Sequence, residues 1–361
     1  MTAPITIRLG RRARQRIAAE GLQAADIAIV PAAAGGPKGL ILHGIDCWLF
    51  GEFLQAVPRQ RRLVGASIGA WRMAASACDD PVAAHQRLAR LYAGQRYPNK
   101  VTPQYVSQAC RALLDELLDG RAAEVLNHPT HHVAILTMRG VGPLADTRGQ
   151  QWREMAGFLR AAAGNALSRR RLAASMERVV FHHRQDDNRW LREAFDAFAA
   201  HFVHLSDANL REALLASGSI PLVLQAVTGI AGAPPGAYWD GGLIDYHLHL
   251  PYQRDPGLVL YPHFADYIVP GWLDKAMPWR RARADARHPA LDNLILVSPA
   301  PDFVAALPNR KLPDRQDFKR YGQDHAGRTR DWLQAIGASQ RMADALARWC
   351  EKPDLNQAIA L

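Results

Sequence analysis

The feature that most constrains this chain is a unit that occurs twice near its start: a short apolar strand, a glycine-bearing turn, then a helix. In the first copy, Asp26–Ala33 runs into Gly35-Gly36-Pro37-Lys38-Gly39, and Leu40–Leu54 follows with apolar residues at helical spacing. In the second, Arg62–Ala66 leads into Gly65-Ala66-Ser67-Ile68-Gly69, and Ile68–Ala77 reads as helix. Strands that alternate with helices pair in parallel, and the helices cover both faces of the resulting sheet. Further strands are expected at His132–Met138, Val179–His182, Phe202–Leu205, Leu258–Tyr261 and Leu294–Ser298. The last of these is continuously apolar, as a strand buried on both faces must be. The expected fold is a three-layer α/β/α sandwich with a mainly parallel central sheet.

One domain is expected over residues 1–361, with its core at about 24–300. Helical insertions are expected at about 81–125 and 150–177, and a helical C-terminal segment at about 313–361. No internal repeat or low-complexity linker divides the chain. The cluster Ala231–Gly236 is a loop, because it leads straight into Tyr238-Trp239-Asp240. Hydrophobic residues make up 48% and charged residues 22%, which excludes a disordered chain. No apolar run of about 18 residues suggests a membrane span. Residues 1–10 lack the apolar core of a signal peptide, and Arg11, Arg12, Arg14 and Arg16 follow at once. Cys47, Cys78, Cys110 and Cys350 lie far apart and form no CxxC pair, so free thiols in a reducing compartment are expected. These points together predict a cytoplasmic protein. The net charge of +10 is spread along the chain as scattered arginines, without any nucleic-acid-binding motif. No nucleic-acid partner is expected.

Gly65-Ala66-Ser67-Ile68-Gly69 has the form Gly-x-Ser-x-Gly. Two glycines flanking a serine allow a sharp turn from strand to helix, which lifts the hydroxyl above the sheet beside a helix N-terminus. The alternative is an ordinary turn with Ser67 as a helix cap. The run Gly35–Gly39 suits an oxyanion hole, because glycines let backbone N–H groups approach a developing negative charge. Gly35, Gly36 and Lys38 are the candidate donors, whereas Pro37 has no N–H. A phosphate-binding loop is the rival reading, although the run matches neither GxGxxG nor GxxxxGK[ST]. A nucleophilic serine also needs a base. Among fourteen histidines, His247, His249 and His263 fit by order alone. Asp240, in Asp240-Gly241-Gly242, offers a carboxylate at a strand end, and partial burial raises such a group toward working pH.

The loop, the serine turn and the late Asp-Gly-Gly resemble, in content and order, the patatin-like phospholipase family. Ala216-Ser217-Gly218-Ser219-Ile220-Pro221 resembles a fourth stretch of that family, Ala-Ser-x-Ala-Ile-Pro. The resemblance covers roughly Ile27–Ile244. It implies a serine acyl hydrolase with a Ser-Asp dyad: Ser67 as nucleophile, Asp240 as base, and Gly35, Gly36, Lys38 and Gly39 in the oxyanion loop. It implies a lipid or other acyl-ester substrate and no metal or cofactor. Ala33 and Ala34 depart from the family's Asp-Gly at the loop entrance. A Ser-His-Asp esterase or thioesterase, a nucleotide-binding module and a non-catalytic lipid-binding protein on the same fold are the rivals.

Three further patterns are read as structural. Trp152, Met155, Leu159, Ala162 and Ala166 predict a helix packed on the core, with Arg169-Arg170-Arg171 as its solvated end. A peripheral contact with an anionic membrane is the functional alternative for that helix. His182, His183, Asp186 and Asp187, like His128, His131 and His132, lack metal-ligand spacing and are expected as surface residues or ordinary loop polars. Asp317, Phe318, Arg320, Asp324 and Arg328 predict an exposed, salt-bridged helix face.

Overall fold

The computed structural model describes residues 3–145, 151–282 and 289–361. Its strands are β1 (Ile5–Leu9), β2 (Ile27–Ala32), β3 (Arg61–Ala66), β4 (His131–Gly140), β5 (Met176–His182), β6 (Ala200–His204), β7 (Tyr238–Asp240), β8 (Leu258–Pro262), β9 (Leu294–Pro299) and β10 (Ile359–Ala360). They form one sheet in the order β10-β1-β9-β8-β2-β3-β4-β5-β6, with β7 paired to β4. The run β9-β8-β2-β3-β4 is parallel throughout. Every residue of β2, β8 and β9 is buried, which is why their sequences are apolar without alternation. Antiparallel pairs appear on either side of this block, between β1 and β9 and where β5 and β7 meet β4. The mainly parallel α/β/α sandwich expected from the two strand–turn–helix units is therefore the fold.

The helix Ile68–Ser76 is buried along its whole length and packs on β2, β3 and β4. Helices Pro81–Ala93 and Pro103–Leu118 build outward from it, and Leu210–Ser217 closes over β4 and β7. The C-terminal segment is not a loose appendage. Helices His325–Ala338 and Gln340–Glu351 pack against the early part of the chain, and β10 pairs with β1 through Leu9 and Ala360. One buried apolar cluster includes residues from Ile5 to Ala358.

Several sequence expectations need correction. β1 was missed: its five residues alternate between buried and half-buried, a signal too short to stand out. The segment expected as one helix over Leu40–Leu54 is a 3-10 stretch over Gly36–Leu42, an α-helix over His43–Trp48 and a π-turn over Leu49–Phe53. The face expected to pack on the core from Gln151–Leu167 points outward. Trp152, Met155 and Leu159 are exposed, whereas Glu154, Gly157, Ala161 and Asn165 are buried. Residue 150, where that insertion was expected to begin, lies outside the described residues. Arg169 is no solvated end; it donates to Asp274 at 2.9 Å and to the Ile244 carbonyl at 2.6 Å.

The charged C-terminal stretch turns partly inward. Asp317 accepts from the Trp332 indole at 2.9 Å, and Arg328 stacks over Phe318 and donates to the Gln95 carbonyl. Most of the two histidine groups is buried too, although His128 is half-buried and Asp187 is exposed. His132 stacks on His183 with ring centroids 4.0 Å apart, and Asp186 pairs with Arg62 at 2.9 Å.

Candidate active site

The sheet register brings the two distant candidates together. Ala66, the last residue of β3, lies opposite Leu136 of β4. Thr137, the next residue of β4, lies opposite Asp240, the last residue of β7. Ser67 follows Ala66 on a left-handed turn, with φ 57° and ψ −131°. Such backbone in a non-glycine residue is strained and persists only where its surroundings enforce it. The flanking glycines supply the room. A Cβ at Gly69 would stand 1.9 Å from the Ala32 carbonyl oxygen, and one at Gly65 would stand 2.5 Å from the Ala70 backbone.

Ser67 Oγ donates to Asp240 Oδ2 at 2.7 Å, and the Gly242 amide donates to Asp240 Oδ1 at 2.7 Å. Both side chains are nearly enclosed, Ser67 at 4% and Asp240 at 6% exposure. Burial pushes the Asp240 carboxyl above its ordinary value. The positive charge of Arg315 and the hydrogen bonds from Ser67 and Gly242 oppose that rise.

The stretch Ala216–Pro221 acts as a brace. Ser217 Oγ accepts from the Ser67 amide at 2.9 Å and donates to the Leu136 carbonyl at 2.6 Å. The Ser217 carbonyl accepts from the Gly241 amide, and the Ser219 carbonyl from the Asp240 amide. One loop therefore holds the serine, the middle strand and the aspartate in a fixed relation. Behind it, Arg72 makes two 2.7 Å bonds to Asp46, locking the helix after Ser67 to the helix His43–Trp48.

The glycine loop stands beside this pair. Gly35 is extended, and a Cβ there would strike the Phe264 ring at 2.4 Å; Gly36 is left-handed at φ 55°. Among the described residues, the amides of Gly35 and Gly36 have no protein acceptor, and neither has that of Ile68, directly after the serine. Sequence reasoning missed Ile68; its position next to the serine is the signal that identifies it. Gly39 serves packing, with a would-be Cβ 3.1 Å from the Ile68 side chain.

None of the candidate histidines bonds to Ser67. The His263 ring nitrogen accepts from the Ala265 amide at 2.8 Å, and burial lowers its pKa to about 3. His247, also buried, accepts from the Val269 amide, and burial holds it well below its ordinary pKa. His249 is half-buried and carries no described bond to the serine.

A cavity of about 380 Å³ opens over Asp240, Ala34 and Gly35. Part of its wall is apolar, from Phe158, Leu222, Leu243 and Trp272, and part is basic, from Lys38, Lys275 and Arg315. Burial lowers the Lys38 ammonium; Asp314 opposes this, and Lys311 and Arg315 add to it.

A buried carboxylate bonded to a serine on a strained turn, beside open backbone amides, is an arrangement able to carry acyl-transfer chemistry at the strand ends of an α/β sheet. Residues 34–247 match the family model described as patatin-like phospholipase, more than half of the chain's 361 residues. The chain belongs to the patatin-like phospholipase family, a family of lipid acyl hydrolases. No curated protein matches the chain. Among the described residues, no helix is long and apolar enough to cross a membrane.

Proposed function

We propose that this protein hydrolyses acyl esters of lipids through an acyl-enzyme on Ser67, with Asp240 as the only general base. The observation that carries this reading is the 2.7 Å bond from Ser67 Oγ to a buried Asp240 carboxylate. As Oγ attacks the ester carbonyl, its proton moves to Asp240 Oδ2, and the carbonyl oxygen gains charge. The Gly35, Gly36 and Ile68 amides are the donors available to it, with Lys38 adding positive potential. When the intermediate collapses, Asp240 returns the proton to the leaving alcohol. A water molecule then gives a proton to Asp240 and attacks the acyl carbon; the acyl–Oγ bond breaks, Asp240 returns the proton to Ser67 Oγ, and the acid leaves. Gly242 keeps the second carboxylate oxygen occupied, so one oxygen handles the proton throughout.

The apolar wall suits an acyl chain. It continues onto the surface, because Phe158 lines the cavity while Trp152 and Leu159 of the same helix are more than 60% exposed. Leu222 and Trp272 line the cavity and are also exposed. This rim is the proposed edge that meets a lipid surface. The test is hydrolysis of a soluble acyl ester by wild type, Ser67→Ala and Asp240→Asn. Both variants are expected to lose at least ~1000-fold in kcat, the scale of removing a nucleophile or its base. Full activity in Asp240→Asn, with loss in His247→Ala or His263→Ala, would instead establish a histidine base.

A further inference from the structure

One buried carboxylate ties together three parts of the chain that wall the cavity over Asp240. Asp274 is fully enclosed, and both of its oxygens are occupied. Oδ1 accepts from Asn165 Nδ2 at 3.0 Å and from Arg280 Nη1 at 2.5 Å. Oδ2 accepts from Arg169 Nη1 at 2.9 Å and from the Gly271 amide at 3.0 Å. Each arginine has a second bond to a main-chain carbonyl: Arg280 to that of Asn165 at 2.5 Å, and Arg169 to that of Ile244 at 2.6 Å. Asn165 stands about two turns beyond Phe158 on the helix Gln151–Leu167, Ile244 follows Leu243, and Asp274 follows Trp272 and Leu273. Phe158, Leu243, Trp272 and Leu273 line the cavity, whereas Asn165, Arg169, Asp274 and Arg280 do not.

Apolar burial does little to hold the loop that carries Asp274. A bridge between Ile268 and Ala282 closes its neck, and Ile268 and Val269 are buried there. Beyond the neck the large side chains face outward: Trp272 is 44% and Trp279 78% exposed. Asp274 is the only buried residue of the turns Trp272–Asp274 and Pro278–Arg280. Gly271 brings the loop close, since a Cβ there would stand 2.6 Å from the Arg169 guanidinium and 2.9 Å from the Leu243 carbonyl oxygen. A buried ion pair adds little net stability over an apolar contact, but losing one partner leaves an uncompensated charge, so the pair fixes geometry.

We propose that Asp274 is a positioning residue: it fixes Trp272 and Leu273 relative to Phe158 and Leu243, and thereby sets the preference for long over short acyl chains. This deepens, and rests on, the reading of Ser67 and Asp240 as an ester-hydrolysing pair. Without the carboxylate, Arg169 and Arg280 repel one another, and the turn Trp272–Asp274 loses its tie to the helix. A long chain then loses apolar contact along the wall, whereas an acetyl group has no chain to lay on it. Ser67 and Asp240 are held separately, by Ser217 and Ser219.

The experiment compares nitrophenyl decanoate with nitrophenyl acetate in the same neutral detergent micelles. The readout is kcat/KM for the decanoyl ester divided by that for the acetyl ester, a ratio that a general loss of folded enzyme does not move. Asp274→Asn keeps the shape but turns an amide N–H toward two of the four donors, so the ratio is expected to fall at least ~10-fold. Arg280→Gln, which leaves the Arg169 bond in place, is expected to lower it about threefold to tenfold. Lys352→Gln, far from the loop, should not move it. An unchanged ratio, or equal losses on both esters, overturns the proposal. If Asp274→Asn does not fold, Arg280→Gln decides. If neither folds, hydrogen exchange of the wild-type peptide 270–278 decides: exchange as slow as in the sheet supports the anchor, and exchange at the rate of an open loop removes it. If wild type cleaves neither ester, binding of dansyl-undecanoate to wild type and Arg280→Gln decides. Weaker binding by the variant then keeps the wall while the hydrolase reading fails, and equal binding removes it.

Discussion

Replacing Ser217 by alanine isolates the brace that links the strained serine to the sheet. The hydroxyl has two bonds, one from the Ser67 amide at 2.9 Å and one to the Leu136 carbonyl at 2.6 Å, and Ser217 is fully buried. Alanine leaves a buried N–H and weakens the pairing of a buried C=O, with only a small void behind. An unsatisfied buried group costs roughly 1–3 kcal/mol, and the carbonyl has a second lone pair that stays available, so the net loss should be about 2–4 kcal/mol. For a chain of this length that is a fall in Tm of about 3–5 °C if unfolding is two-state. The released amide also frees the Ser67 backbone to leave its left-handed conformation, so labelling by a fluorophosphonate should slow at least ~10-fold. The assays are thermal unfolding followed by circular dichroism and the second-order rate of labelling. A Ser217→Ala protein with an unchanged Tm and unchanged labelling rate would refute the reasoning, because the brace would then bear no strain.

Four further outcomes follow from the site and its surroundings. Asp240 binds its proton more tightly when folded than when unfolded, so its contribution to stability is present at low pH and is lost as pH rises through its raised folded pKa. Asp240→Asn should therefore raise Tm at neutral pH while abolishing turnover, and the acid limb of kcat/KM in wild type should fall above the ordinary aspartate range. Because Arg315 opposes the rise, Arg315→Gln should move that limb to higher pH, read from a pH profile on a neutral ester. Gly69→Ala should cost about 3 kcal/mol or more, since its Cβ would stand 1.9 Å from a backbone oxygen; equilibrium urea unfolding measures this. A Trp152→Ser and Leu159→Ser double variant should bind lipid vesicles at least ~10-fold more weakly in sedimentation, with Tm within 1–2 °C of wild type, because surface substitutions barely alter stability.

Much of the fold was legible because parallel strands announce themselves. The apolar runs in β2, β3, β8 and β9 and the glycine turns after β2 and β3 leave few other arrangements. The positions of Ser67 and Asp240 were legible for a related reason: sharp turns need glycines at fixed offsets, and Gly65, Gly69, Gly241 and Gly242 mark where the two side chains project. What stayed hidden depends on packing between distant segments. The stripe Trp152–Leu159 has helical periodicity, and periodicity cannot say which face meets the core. The buried face here uses Gly157 and Ala161 for close approach, together with Asn165, whose side chain bonds to Asp274 at 3.0 Å. Arg72, Ser217 and Arg315 gain their roles only through partners at Asp46, Leu136 and Gly36, which no local pattern reveals.

The most direct measurement on the central claim is to trap the acyl-enzyme. Wild type mixed with an acyl ester and quenched in acid should show, by peptide mass spectrometry, one acyl adduct on the peptide that contains Ser67. The adduct should be absent from Ser67→Ala and should accumulate slowly or not at all in Asp240→Asn. An adduct on another residue, or undiminished hydrolysis by Ser67→Ala with no adduct anywhere, would contradict the account.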